Sequence, residues 1–223
     1  MRRTGNPPVP WHERLPRRLT QLFAGLVLYG VSMGFMIESR LGLDPWDVFH
    51  QGIAEHTGLS FGTVTIIVGA AVLLLWIPLR QKPGIGTVSN VVVIGLSVDG
   101  ALAVLPTPDP PAGRIAFLLS GILLNGVATG LYIGARLGPG PRDGLMTGYV
   151  ARRGGRASIR RTRTVIEVTV LAVGWLLGGT VGWGTIAYAL AIGPLAHITI
   201  PLFTVAAAGG EPTHTSTQPE TSM

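Results

Sequence analysis

Cysteine is absent from the 223 residues, which excludes a disulfide framework, a thiolate zinc site and a cysteine nucleophile. Lysine is nearly absent: Lys82 stands alone among 17 basic residues, the rest being arginine. Charge is scarce overall, at 13% of residues, about half the share of a soluble domain. That scarcity, with a mean hydropathy of +0.46, argues against disorder across the chain and against a water-soluble globule. No phosphate-binding loop ending in Gly-Lys-Ser/Thr occurs, so a self-contained ATP-driven pump is excluded. No catalytic set, metal site or cofactor motif is read from the chain, and an enzyme is not expected.

Apolar residues are abundant instead, at 47%. A bilayer core about 30 Å thick takes roughly 17–25 apolar residues per helix. Six windows have that length: Thr20–Ile37, Thr63–Leu79, Ile85–Leu105, Ile115–Ala135, Thr164–Thr180 and Val181–Phe203. Their ionisable residues are Asp99, Glu167 and His197, and none shows the polar stripe of a soluble surface helix. The last two windows abut at a Gly/Thr/Trp turn, which predicts a tight helical hairpin. The expected fold class is all-α, a polytopic membrane protein of about six transmembrane helices embedded in a lipid bilayer.

The cations orient these spans. Arg2, Arg3, Arg14, Arg17 and Arg18 precede the first; Arg80 and Lys82 lie between the second and third. Arg136, Arg142, Arg152, Arg153, Arg156, Arg160, Arg161 and Arg163 lie between the fourth and fifth, leaving only Arg40 and Arg114 opposite. Cytoplasmic loops collect Lys and Arg, so both termini are expected in the cytoplasm. The net charge of +6 is then an orientation signal, and nucleic acid is not needed as a partner. Arg17-Arg18 before an apolar run resembles an export signal, but no small-x-small cleavage site follows and five more spans do. Residues 1–19 and 207–223 read as disordered tails flanking membrane units at 20–106 and 112–206.

The 32 glycines disclose an internal repeat. At an offset of 96, Gly25, Gly30 and Gly34 match Gly121, Gly126 and Gly130, and Arg40-Leu41-Gly42 matches Arg136-Leu137-Gly138. Pro45 and Asp47 then match Pro141 and Asp143; past a two-residue insertion, Gly84-x-Gly86-Thr87 matches Gly182-x-Gly184-Thr185. A duplicated three-span unit must enter the membrane from opposite sides, an inverted repeat of the kind found in secondary transporters.

Each repeat is built around one motif, RLGLDPWD (Arg40–Asp47) or RLGPGPRD (Arg136–Asp143). Proline suits a first helical turn, with Asp44 and Gly140 at the N-cap and Asp47 and Asp143 at the third position. The stretches that follow, Trp46–His56 and Arg142–Arg153, span about 17 Å as helix, half a membrane crossing. They are expected to be re-entrant half-helices or interfacial helices. Asp47 and Asp143 read as caps reaching back to the N-cap amide, or as carboxylates of a shared site for a cation, proton or polar substrate. His50 and Gln51 share a face with Asp47, and Met146 and Thr147 take their places in the second copy.

Ionisable residues inside spans mark cavities or partners. Asp99 and His197 are equivalent between the repeats and join the candidate substrate or ion site. Glu167 joins it too, with a salt bridge to a nearby arginine as the plainer reading. Gly30-x-x-x-Gly34 and Gly126-x-x-x-Gly130 predict close packing of the first and fourth spans. Arg152, Arg153, Arg156, Arg160 and Arg161 read as a positive-inside signal, or as a site for anionic lipid headgroups.

The run LGLDPWDVFHQGIAEHTGLSFGTVTIIVG, with LLLWIPLRQKPGIGTVSNVVVIGLSVD and RLGPGPRDGLMTGYVARRGG, resembles the YczE branch of the YczE/YyaS/YitT family of bacterial integral membrane proteins. The resemblance covers roughly residues 18–206. It implies a multi-pass protein of the bacterial inner membrane and carries no assigned site residues. Some members are linked to production of secreted lipopeptides, which implies a theme of export or support of biosynthesis. Two functions are therefore expected to compete: a small-molecule transporter or permease of unknown substrate, and a non-transporting scaffold or accessory factor that supports biosynthesis or export of a secreted metabolite.

Overall fold

The computed structural model describes residues 14–154 and 157–205. Among them it contains eight helices and no strand: α1 (Leu15–Ser39), α2 (Pro45–Thr57), α3 (Phe61–Leu79), α4 (Ile85–Leu102), α5 (Pro111–Gly134), α6 (Pro141–Arg152), α7 (Ile159–Leu176) and α8 (Trp183–Phe203). Moving α1 and α2 by 96 residues, and α3 and α4 by 98, lands on α5 to α8 to within a few residues at each end. The expected tails fall largely outside the described residues, but α1 starts at Leu15. Arg18 is thereby a helical residue, donating from Nε to the Ala135 carbonyl and from Nη2 to the Arg136 carbonyl, both at 2.9 Å.

Five helices, α1, α3, α4, α5 and α8, are long and apolar enough to cross a membrane. The remaining expected span falls in α7, whose first half carries Arg160, Arg161, Arg163 and Glu167 and is too polar to meet the same measure. Nor does α7 form a tight hairpin with α8. It packs mainly on α2, with α6 as a second neighbour, because Gly174 lets it settle onto the Val48–Phe49 backbone.

The core is the pair α1 and α5, which run antiparallel. Gln21 Nε2 donates to the Leu131 carbonyl at 2.9 Å near one end, and Asn125 Nδ2 donates to Ser32 Oγ at 3.0 Å further along. Gly25 admits Leu131 and Tyr132, and Gly121 admits Ser32 and Met36. The Gly-x-x-x-Gly pairs do pack helices, but not these two. Gly30 and Gly34 face Ile94, Val98 and Ala101 of α4, while Gly126 and Gly130 face Leu195 and Thr199 of α8. The expectation that they join the first and fourth spans is thus corrected. Each pair joins helices within its own half.

The two RLG loops have matching backbones. Arg40 and Arg136 are left-handed at φ 55° and 57°, and Gly42 and Gly138 take φ 118° and 133°. Each loop docks on the other half: Gly184 N–H donates to the Leu41 carbonyl at 2.7 Å, and Gly86 N–H donates to the Leu137 carbonyl at 3.0 Å. The short helices follow the same exchange, α2 lying on α7 and α6 lying on α3.

Candidate functional site

Proline at the first position starts both short helices, and the residues around those starts are enclosed while the far ends, Glu55–Thr57 and Ala151–Arg152, are exposed. Asp44 is the N-cap of α2, its Oδ1 accepting from the amides of Trp46 and Asp47 at 2.8 and 2.9 Å. Capping by Asp44 leaves Asp47 free of that task. Asp47 is fully buried, and neither of its carboxylate oxygens accepts a hydrogen bond; nor does Oδ2 of Asp44.

These carboxylates face Arg142, from the start of α6. Its guanidinium nitrogens lie 3.7 Å from Asp44 and 3.6 Å from Asp47. The guanidinium also stands over the Trp46 ring, 5.0 Å from its centroid, a cation–π arrangement. Trp46 and Arg142 are equivalent positions of the two motifs, so the half-helix starts meet head to head. Their positive dipole ends stabilise the carboxylates beside them.

Around this junction lies a cavity of about 230 Å³ lined from both halves, by Tyr29, Asp44 and Trp46 and by Tyr132, Arg142 and Asp143 among others. That is room for several waters or one small solute. Tyr29 and Tyr132 meet edge to face, with centroids 6.0 Å apart. Tyr188 also lines it, and its hydroxyl donates to Asn125 Oδ1 at 3.1 Å.

Of the candidate residues, His50, Asp143 and Glu167 line this cavity, and Asp47 abuts it through Arg142. His50 Nδ1 lies 3.4 Å from both Asp47 and the Thr65 hydroxyl. Asp143 Oδ2 accepts from the Tyr132 hydroxyl at 3.3 Å. Glu167 is paired with Arg163 at 2.8 Å, one helical turn away. The other candidates lie elsewhere. Gln51 Oε1 accepts from the Thr180 amide at 2.8 Å, tying α2 to the loop before α8, and Thr147 bonds to its own helix at the Asp143 carbonyl. Asp99 binds the start of α3, accepting from Ser60 Oγ at 2.6 Å and the Gly62 amide at 2.7 Å. His197 is exposed on α8. Among the arginines weighed for lipid, Arg152 donates to the Pro78 carbonyl, Arg153 stacks on Tyr149, and Arg160 and Arg161 are exposed. Arg156 lies outside the described residues.

The sequence reading missed Arg142, which it counted with the loop cations, and the three tyrosines, hidden in apolar windows. One signal could have found Arg142. It follows Pro141 directly, at a helix start whose Asp143 was already weighed for a shared site.

An all-α polytopic membrane protein with a charged internal cavity is the class these features define. The chain belongs to the family of unknown function DUF6198, whose model matches residues 16–201. It is 40% identical to an uncharacterized protein of Haemophilus influenzae over 79% of this chain and 80% of the relative. It is 35% identical to the uncharacterized membrane protein YczE of Bacillus subtilis, over 85% and 88%. A further relative, the uncharacterized protein YyaS of Bacillus subtilis, is 23% identical over 80% and 90%. No solved structure matches.

Proposed function

We propose that the chain is a small-solute transporter, built as two inverted repeats, with the central cavity as its substrate site. The observation that carries this reading is the head-to-head meeting of the α2 and α6 starts at a cavity lined from both halves. Paired half-helices converging on a site recur in secondary transporters. The antiparallel course of the equivalent helices α1 and α5 supports inversion. The clustering of cations supports an inner-membrane orientation with both termini in the cytoplasm.

Gly193 offers a clean test. It lines the cavity, and nothing stands within 4 Å of a Cβ added there, so Gly193→Phe fills the space without displacing backbone. Proteoliposomes should pass protons, read with an entrapped pH dye, or take up members of a panel of labelled small cations, amino acids and weak acids. Gly193→Phe should abolish that flux while the protein stays folded. No flux above empty liposomes sinks the transport reading, and flux unchanged in the variant moves the path elsewhere.

A further inference from the structure

The charges around the cavity do not balance. Glu167 is matched by Arg163 at 2.8 Å, and Asp143 is hydrogen-bonded by the Tyr132 hydroxyl. Asp44 and Asp47, 2% and 0% exposed, share the single guanidinium of Arg142. That trio alone carries one formal negative charge in excess, and three of the four oxygens of its carboxylates accept no hydrogen bond. Buried carboxylates in that condition are costly unless a further cation or hydrogen-bond donor completes them. Asp44 lines the cavity, and its enclosed, unpartnered Oδ2 becomes reachable to an occupant that displaces the Arg142 guanidinium.

We propose that this pocket binds a small organic cation of the ammonium or guanidinium class, which competes with Arg142 for Asp44 and Asp47. The assignment rests on the cavity being the substrate site, and it names the substrate class. Three features select that class. First, the Arg142 side chain is a tethered example of the ligand: a guanidinium held between two carboxylates and the face of an indole, the surfaces that recognise organic cations. Second, Tyr29, Tyr132 and Tyr188 add aromatic wall to a space of about 230 Å³, far more than a bare ion fills. Third, among the described residues no group of three metal-ligating His, Cys, Asp or Glu side chains exists, so the carboxylates do not form a metal cage. An anion would meet Asp44 and Asp47 and find Arg142 already engaged.

The competition makes an unusual demand: removing a positive charge should tighten cation binding. Isothermal titration of the full chain in detergent micelles, with methylguanidinium chloride against sodium chloride at equal ionic strength, reads this directly. Wild type should bind methylguanidinium saturably, and Asp44→Asn and Asp47→Asn should weaken it by on the order of 10-fold or more, the cost of truncating a buried charge partner. Arg142→Gln should bind it more tightly than wild type. Should that variant fail to fold, Arg142→Lys keeps the charge but loses the forked contact, and it too should tighten binding. No saturable binding by wild type overturns the proposal, as do weaker binding by both arginine variants or an equal response to sodium. Binding without flux in proteoliposomes would leave the site standing and remove transport. Flux of some solute without cation binding would do the reverse.

Discussion

The two halves share a backbone plan and differ at one seam. In the first half α3 packs along α4, since a Cβ at Gly62 would run into the Gly95 carbonyl and the Asp99 carboxylate. In the second half the counterpart of Gly62 is Arg160, and α7 leaves α8 to lie on α2. Gly193, counterpart of Gly95, is exposed, has nothing within 4 Å of an added Cβ and lines the cavity. A glycine-to-arginine difference at a helix contact thus accompanies the opening of one side of the molecule. The halves share a helix plan and differ at the α7–α8 seam, where Gly193 lines the cavity.

The largest effect that tests this comparison lies where the half-helix starts meet. Arg142→Met removes the cation facing two buried carboxylates and should cost about 3–5 kcal/mol, read by denaturant unfolding in micelles. Trp46→Met at the equivalent position removes no charge and should cost less; equal losses would show that the two starts are not electrically unequal. The seam comes next. Gly62→Leu should destabilise by about 1–3 kcal/mol through overpacking, whereas Gly193→Leu should leave the melting temperature near that of wild type. A Gly193→Leu protein as unstable as Gly62→Leu would mean that the second seam is closed. Smallest is the pair Asp99 and His197. Asp99→Ala should lose about 1 kcal/mol with its bonds to the start of α3, while His197→Ala on the exposed side of α8 should leave the melt unchanged.

Much of the scaffold was legible because it is written twice. The offsets of 96 and 98 place all eight helices, and Pro45 and Pro141 mark where the short ones start. What is not repeated was harder to read. Orientation depends on counting arginines, and a count cannot separate Arg142, enclosed against Asp44 and Asp47, from exposed Arg153. Asp44 caps α2 as its position suggested, but Asp47, weighed as reaching back to the N-cap amide, accepts no hydrogen bond at its carboxylate and faces Arg142 instead. The hairpin between α7 and α8 was inferred from adjacency in the chain. Adjacency yields to the fit of Gly174 against Val48 and Phe49, a pairing between halves that no local pattern encodes.

One contact between the halves has a further consequence. On α3, Trp76 lies against Gly144 of α6 and donates from Nε1 to the Pro141 carbonyl at 3.0 Å. The repeat offsets make Gly174 the counterpart of Trp76, and Val48 the counterpart of Gly144. Large meets small on both sides, with the roles exchanged. Two copies of the first half would drive an indole into a valine, and two copies of the second would set glycine against glycine across a void. At this contact each half is therefore a lock cut for the other: the backbones correspond, and side-chain volume alone makes the pairing unlike-to-unlike.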